Sequence, residues 1–119
     1  MSHSDLKKFL VLYLVPTDVI ADWVKTDPAT RKTEEEKMRA GWQRWMSDHT
    51  NIIRTTEAAG KTKEVTASGI GDIKNEIMLY SIVEAASQDE AAEAFRRHPH
   101  LAIPRSSIQV TEVRAMGPP

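Results

Sequence analysis

Two histidines separated by one proline, His98 and His100, are the residues of this sequence best suited to proton transfer. Imidazole is the side chain whose ordinary pKa lies nearest to neutral pH. His98 closes the inward face of a predicted helix, and His100 follows in the loop after Pro99, which ends that helix. If only one of them acts on a ligand, we interpret His98 as the buried acid-base group and His100 as a gate to the same cleft, with a structural role for His100 in its loop as the alternative. The alternative is that His98 bonds the last backbone carbonyls of its helix.

Asp72 and Asn75 lie around a predicted turn at residues 69–72. Side chains of this type often bond their own backbone in turns, which is one interpretation of both residues. The other is functional, because the predicted topology brings this turn to the edge of the sheet where the histidines lie. If Asp72 contacts His98 or His100, it would hold that imidazole as a general base.

Four aromatic side chains are candidates to line an apolar ligand cleft together with Asn75: Tyr13, Trp23, Trp42 and Tyr80. Aromatic walls with a few polar groups are typical of small-molecule sites. Packing in the core, with each buried tyrosine hydroxyl bonded once, is the alternative for the tyrosines. The regular helical spacing of Trp42 with Trp45 and Met46 also favours a core position for that tryptophan.

The sequence favours neither a tightly bound metal ion nor a cofactor. His98 and His100 supply two imidazoles, but the chain has no cysteine, and a site would need a carboxylate brought in by the fold. Phosphate loops and dinucleotide fingerprints are also absent from the sequence.

Length and charge limit the class of protein. A chain of 119 residues corresponds to one domain. Its formal charge of -1 lacks the excess of positive charge that favours binding to nucleic acid or to an anionic membrane. The apolar run at residues 9–15 is too short to span a membrane, so we interpret it as part of a first strand. The lack of cysteine agrees with a cytoplasmic location.

Hydrophobic periodicity and capping residues predict the elements along the chain. Residues 6–15 and 75–85 are apolar on both faces of an extended chain, which is typical of central strands. Thr33 with Glu36, and Ser87 with Glu90, form capping boxes that predict two helices. The predicted elements are strand 6–15, a helical flap at 16–33, helix 34–49, a connection at 51–60, edge strand 61–68, strand 75–85, helix 87–98 and strand 107–114.

This order, β-α-β-β-α-β, predicts an α+β protein with a ferredoxin-like antiparallel sheet and two helices on one face. The first and third strands would then be central, in agreement with their apolar faces. Because two helices cover only one face, the apolar residues of the other face predict a homodimer packed sheet to sheet.

The chain also resembles a known family. The segments that carry the resemblance are FLVLYLVP, AGWQRWM, GKTKEVTASG, GDIKNEIMLYSIVEAASQDEAAEAF, HPHLAIP and SIQVTEV. Together, from about residue 9 to 113, they resemble the YCII-related family, which includes the DGPF proteins. The resemblance implies a single ferredoxin-like domain that pairs as a dimeric α+β barrel. GDIK at residues 71–74 replaces the DGPF motif, which indicates a subgroup without that motif.

Two functional hypotheses follow. The first is a small-molecule-binding protein with a cleft between sheet and helices, in which His98 or His100 carries out acid-base chemistry of the lyase or isomerase type. The second is a dimeric binding or regulatory module without catalysis, whose surface contacts another protein. The sequence does not identify the ligand.

Overall fold

The computed structural model describes residues 6–117 and has the predicted α+β class. Three α-helices, one 3-10 helix and six strands follow one another along the chain. Their bounds are β1 (Lys7–Leu14), α1 (Thr17–Val24), α2 (Pro28–Asp48), β2 (Ile53–Ala58), β3 (Thr62–Thr66), β4 (Gly69–Ile73), β5 (Ile77–Ala85), α3 (Gln88–Ala94), the 3-10 helix (Pro99–Ala102) and β6 (Ser107–Glu112).

Four strands form one antiparallel sheet in the order β2-β5-β1-β6. The two central strands are therefore β1 and β5, the segments whose side chains are apolar on both faces. Their register places Leu12 opposite Tyr80 and Tyr13 opposite Leu79. Because neighbouring residues of a strand point to opposite faces, Tyr13 and Tyr80 lie on different faces of the sheet.

One face of the sheet forms the hydrophobic core. Alternate residues of β1, from Phe9 through Val11 to Tyr13, are buried together with Val83 and Ala85 of β5. Trp45 of α2 and the α3 residues Ala91 and Phe95 belong to the same buried cluster. The period of two along β1 thus separates core residues from those of the other face.

The other face of the sheet is less covered. Its central residues Leu10, Leu12, Leu14, Tyr80 and Ile82 are only half-buried. The protein is also flat, with principal extents of 50 × 45 × 19 Å and a radius of gyration of 16.8 Å. A compact domain of this length would have a radius of gyration of about 13 to 14 Å.

The first long helix begins earlier than the capping box at Thr33 predicts. Asp27 caps α2, because its carboxylate accepts hydrogen bonds from the backbone N–H and the hydroxyl of Thr30, and Pro28 occupies the first helical position. Thr33 instead donates its hydroxyl to the carbonyl of Ala29 inside the helix. The prediction of a cap at Thr33 is wrong, and the predicted flap consists of α1 and the first residues of α2.

The second strand of the sheet also differs from the prediction. It is Ile53–Ala58, which the sequence analysis treats as a connection, and it pairs with β5 so that Thr56 lies opposite Ser81. The predicted edge strand at residues 61–68 is β3, which pairs with β4 in a separate hairpin. The residues expected to form a turn at 69–72 are therefore all in β4, and the turn lies at Ala67 and Ser68. The polarity that suggested an edge strand reflects a hairpin whose residues are almost all exposed.

Helix α3 begins where predicted. The Ser87 side chain accepts a hydrogen bond of 3.1 Å from the backbone N–H of Glu90, as its place in the capping box requires. The helix ends at Ala94 instead of His98, and residues 95–97 form a turn. The 3-10 helix that starts at Pro99 then folds the chain back toward β1.

Candidate functional site

A buried group of aromatic and imidazole rings surrounds Tyr13 at the centre of the core. Ring centroids lie 5.0 Å from Tyr13 for Trp42, 5.3 Å for His98 and 5.6 Å for His100. Tyr13 comes from a central strand, Trp42 from α2, and the two histidines from the turn and 3-10 helix after α3. We call this group the histidine cluster, and its members are Tyr13, Trp42, Trp45, Phe95, His98 and His100.

His98 is held as a neutral imidazole. It caps the 3-10 helix, because its Nδ1 accepts a 3.0 Å hydrogen bond from the backbone N–H of His100. An accepting Nδ1 places the proton of the neutral ring on Nε2. Nε2 is buried without a hydrogen-bond partner among residues 6–117, and the ring stands nearly perpendicular to Trp42, with centroids 4.3 Å apart. Burial, together with the nearby rings of His100 and His49, lowers the pKa of His98 to about 3.

His100 is also buried, with 1% of its surface exposed. Its Nε2 lies 3.0 Å from the carbonyl oxygen of Leu14, to which it donates. Burial lowers the pKa of His100, and hydrogen bonds to the carbonyls of Leu14 and Ser107 oppose that shift. The prediction that His100 lies in an open loop as a gate is wrong, because the 3-10 helix folds it against the end of β1.

Tyr13 takes part in a chain of hydroxyl groups through the sheet. Its OH lies 2.8 Å from the Oγ of Ser81, which is in turn 2.7 Å from the Oγ1 of Thr56. Burial raises the pKa of Tyr13 to about 12, although the bond to Ser81 acts in the other direction. Ser81 and Thr56 are not among the residues that the sequence predicts for the site. The available signal was a lone serine in an otherwise apolar strand next to a buried tyrosine.

Asp72 and Asn75 form their hydrogen bonds with residues other than the two histidines. The Asp72 carboxylate is exposed on β4 and pairs with Lys63 at 2.6 Å. Asn75 donates to the hydroxyl of Thr62 and accepts from the backbone N–H of Ile77. Within residues 6–117, no hydrogen bond joins Asp72 or Asn75 to His98 or His100. Hairpin and turn contacts account for both side chains.

Asp18 and Arg105 come together from distant parts of the chain. Their side chains form an ion pair, and the guanidinium lowers the pKa of the Asp18 carboxyl. Arg105 has a positive φ of 56°, which is uncommon for a residue with a side chain. The pair connects the start of α1 to the loop before β6.

The four aromatic candidates do not line one cleft. Tyr13 is fully buried, and Tyr80 lies on the other face of the sheet, where its OH donates to Glu57 at 2.9 Å. The Glu57 carboxylate raises the pKa of Tyr80. Trp23 is half-exposed on α1. Of the four, only Trp42 contributes to an open groove described below.

That groove lies beside α2 and encloses about 470 Å³. Trp42, Met46 and Ile53 give it an apolar floor, while Arg39 and Gln43 lie one helical turn apart along its edge. We call it the α2 groove, and its lining residues are Arg39, Trp42, Gln43, Met46, Ser47, Thr50 and Ile53. Trp42, predicted as a cleft-lining residue with a core position as the alternative, and Met46 both pack against the core while remaining partly exposed.

A second groove of about 420 Å³ lies between α3 and β6. Phe95, Leu101 and Val110 contribute apolar surface to it. The Gln88 side chain crosses from α3 to the edge strand and donates to the carbonyl of Val110 at 3.1 Å. This contact occupies one of the backbone acceptors on the outer side of β6.

The part of the chain that the structure describes has the geometry of neither a metal site nor a membrane-spanning helix. In residues 6–117, no three histidine or acidic side chains come together as metal ligands. None of the helices there has both the length and the hydropathy needed to cross a bilayer. Neither a comparison with models of protein families nor one with curated proteins gave a match for this chain.

Proposed function

We propose that this chain binds a small organic molecule in the α2 groove and acts without catalysis by its histidines. The observation that carries the proposal is the groove itself. Trp42, Met46 and Ile53 remain partly exposed next to one another in a concave site of about 470 Å³. Apolar walls with a few polar groups at the edge, in a cleft of this size, are typical of small-molecule sites.

The state of the histidines supports binding over acid-base chemistry. A general base must reach its substrate within hydrogen-bond distance and titrate near the working pH. His98 and His100 are buried, and burial lowers the pKa of both rings. Their hydrogen bonds instead fix the 3-10 helix and attach it to the end of β1. We infer a structural role for both residues.

We also propose that two copies pack sheet to sheet as a ferredoxin-like, dimeric α+β barrel of the YCII-related type. Supporting observations are the half-buried apolar residues on the open face of the sheet and the 19 Å shortest extent of the protein. A face rich in leucine, such as Leu10 and Leu12, loses water contact when a second copy covers it. The resemblance of the sequence to YCII-related proteins points to the same assembly.

A ligand screen with matched variants tests the binding proposal. The wild type is screened by thermal shift against small aromatic and aliphatic compounds, since a ligand of the folded state raises Tm. Gln43→Trp fills the α2 groove from an exposed position, and Arg44→Trp adds the same ring to another side of α2. We expect stabilising compounds to lose their effect in Gln43→Trp and to keep it in Arg44→Trp. Equal effects in both variants would remove the α2 groove as the site.

The hairpin of β3 and β4 favours a second candidate function, contact with another protein. Val65 and Ile70 lie opposite each other near its tip and are 73% and 71% exposed. A hairpin of two strands is only marginally stable alone, so a partner on this apolar pair would stabilise it. Hydrogen exchange of the β3 and β4 amides, with and without cell extract, tests this candidate. Unchanged exchange in extract would count against it.

A further inference from the structure

We infer that the ligand of the α2 groove is an organic anion whose carboxylate is bound by the guanidinium of Arg39 and whose apolar body lies on Trp42 and Met46. This inference rests on the proposed function, because it names the class of ligand for the same groove. It follows from the charge of the groove, the free donors of Arg39 and the direction of α2.

The lining of the groove has one cation and no anion. Arg39 is its charged residue, and the polar remainder consists of Gln43, Ser47 and Thr50, which are neutral. The whole chain, by contrast, carries a formal charge of -1. A site with a local positive charge in a slightly acidic protein is complementary to an anion.

The donors of Arg39 are available for a ligand. In residues 6–117, Arg39 forms neither an ion pair nor a side-chain hydrogen bond, although Glu35 precedes it by one turn of α2. Arg54, Arg96, Arg105 and Arg114 are paired with acidic residues, whereas Arg31, Arg44 and Arg97 form no ion pair within residues 6–117 either. What distinguishes Arg39 among the unpaired arginines is its place in the lining of the α2 groove. A planar guanidinium binds a carboxylate through two parallel hydrogen bonds, so Arg39 suits a carboxylate better than a neutral polar group.

The direction of the helix decides which end of the ligand is charged. Ser47 and Thr50 lie at the C-terminal end of α2, where the last turn carries partial negative charge. An anionic group is disfavoured there and favoured one to two turns earlier, at Arg39 and Gln43. The apolar body then extends over Trp42 and Met46 toward Ile53 on the neighbouring strand.

Two probes that differ only in charge test the inference. Naphthoate and naphthamide have the same aromatic body, but one carries a carboxylate and the other a neutral amide. Each is titrated into the full chain at neutral pH and low salt, and the indole N–H signal of Trp42 is followed by NMR. We expect both to bind and naphthoate to bind more tightly, by about two- to fivefold, as an exposed charge pair allows.

Three variants of α2 locate the charge effect. Arg39→Gln should abolish the preference for naphthoate and leave naphthamide binding unchanged. Arg44→Gln removes an equal charge from a residue outside the groove lining and should leave the preference intact. Glu35→Gln removes the acidic neighbour of Arg39 and should strengthen naphthoate binding.

The possible results distinguish a failure of the anion inference from a failure of the α2 groove as a binding site. If both probes bind equally to the wild type, the groove remains a binding site but the anion inference is overturned. If Arg44→Gln lowers the preference as much as Arg39→Gln does, the charge effect belongs to the whole surface, which also overturns the inference. If neither probe shifts the Trp42 signal, both the inference and the proposed function of this groove are contradicted.

Discussion

Acidification should destabilise this protein through His98 at pH values where most carboxyl groups are still ionised. The folded-state pKa of His98 is lowered from 6.5 to about 3 by burial. The unfolded chain therefore binds a proton on this ring below about pH 6.5, while the folded chain does not until the pH approaches 3. Stability contributed by the neutral ring is present above pH 6.5 and is lost as the pH falls through this window.

The expected size follows from the same two values. Proton linkage gives a loss of about 1 kcal/mol in the free energy of unfolding between pH 7 and pH 5.5, and about 2 to 3 kcal/mol by pH 4.5. The pKa of His100 is lowered as well, so its contribution has the same sign. The decline near pH 6 should therefore be at least as steep as one histidine predicts.

His98→Asn is the matched variant, because asparagine is a good capping residue and its side-chain oxygen can accept the hydrogen bond from the N–H of His100. Urea unfolding of both proteins at several pH values gives the free energy of unfolding. We expect the variant to be less stable at pH 7, since it fills less of the cluster, and to lose less stability on acidification. Parallel pH profiles for the two proteins, or an NMR titration of the His98 ring near pH 6.5 in the folded state, would refute the reasoning.

Three further outcomes test the fold and the assembly. Ser81→Ala should lower the free energy of unfolding by about 1 to 3 kcal/mol, because it leaves the buried Tyr13 hydroxyl unpaired. Tyr13→Phe should lower it by about 1 kcal/mol, since Ser81 keeps its hydrogen bond with Thr56. Urea unfolding measures both changes. Asp27→Ala should lower stability by about 1 kcal/mol through loss of the α2 cap, and the same change at Thr33 should have an effect below about 0.5 kcal/mol. Leu12→Asp, on the open face of the sheet, should convert a dimer into a monomer in light scattering, and a monomeric wild type would contradict the proposed assembly.

The parts of the fold that the sequence predicts well are those in which one physical signal dominates. The two strands with apolar residues on both faces are central, because a strand with a neighbour on each side exposes less of its apolar side chains to water than an edge strand does. Ser87 caps α3 since its side chain has no closer competitor for the free N–H groups of the helix. His98 is buried as predicted, but it lies beyond the end of α3 and caps the 3-10 helix, so the helix face on which the prediction rested does not extend to it.

The errors arise where local signals compete or the chain returns from a distance. Asp27 with Pro28 is a stronger helix start than Thr33 with Glu36, and the helix begins at the first suitable cap. The strand at Ile53–Ala58 has little apolar pattern of its own and depends on pairing with β5. His100 is buried only because the 3-10 helix brings it to Leu14, 86 positions earlier in the chain. The α2 groove was missed for a related reason, since its floor combines a helix with Ile53 of β2.

Nuclear Overhauser effects between a bound compound and the methyl groups of the protein test whether the α2 groove holds the ligand, as we propose. We expect contacts with the methyl groups of Met46 and Ile53, which line the groove. Contacts instead with Leu12 and Ile82 on the open face of the sheet, or with Leu101 and Val110 in the second groove, would contradict this proposal.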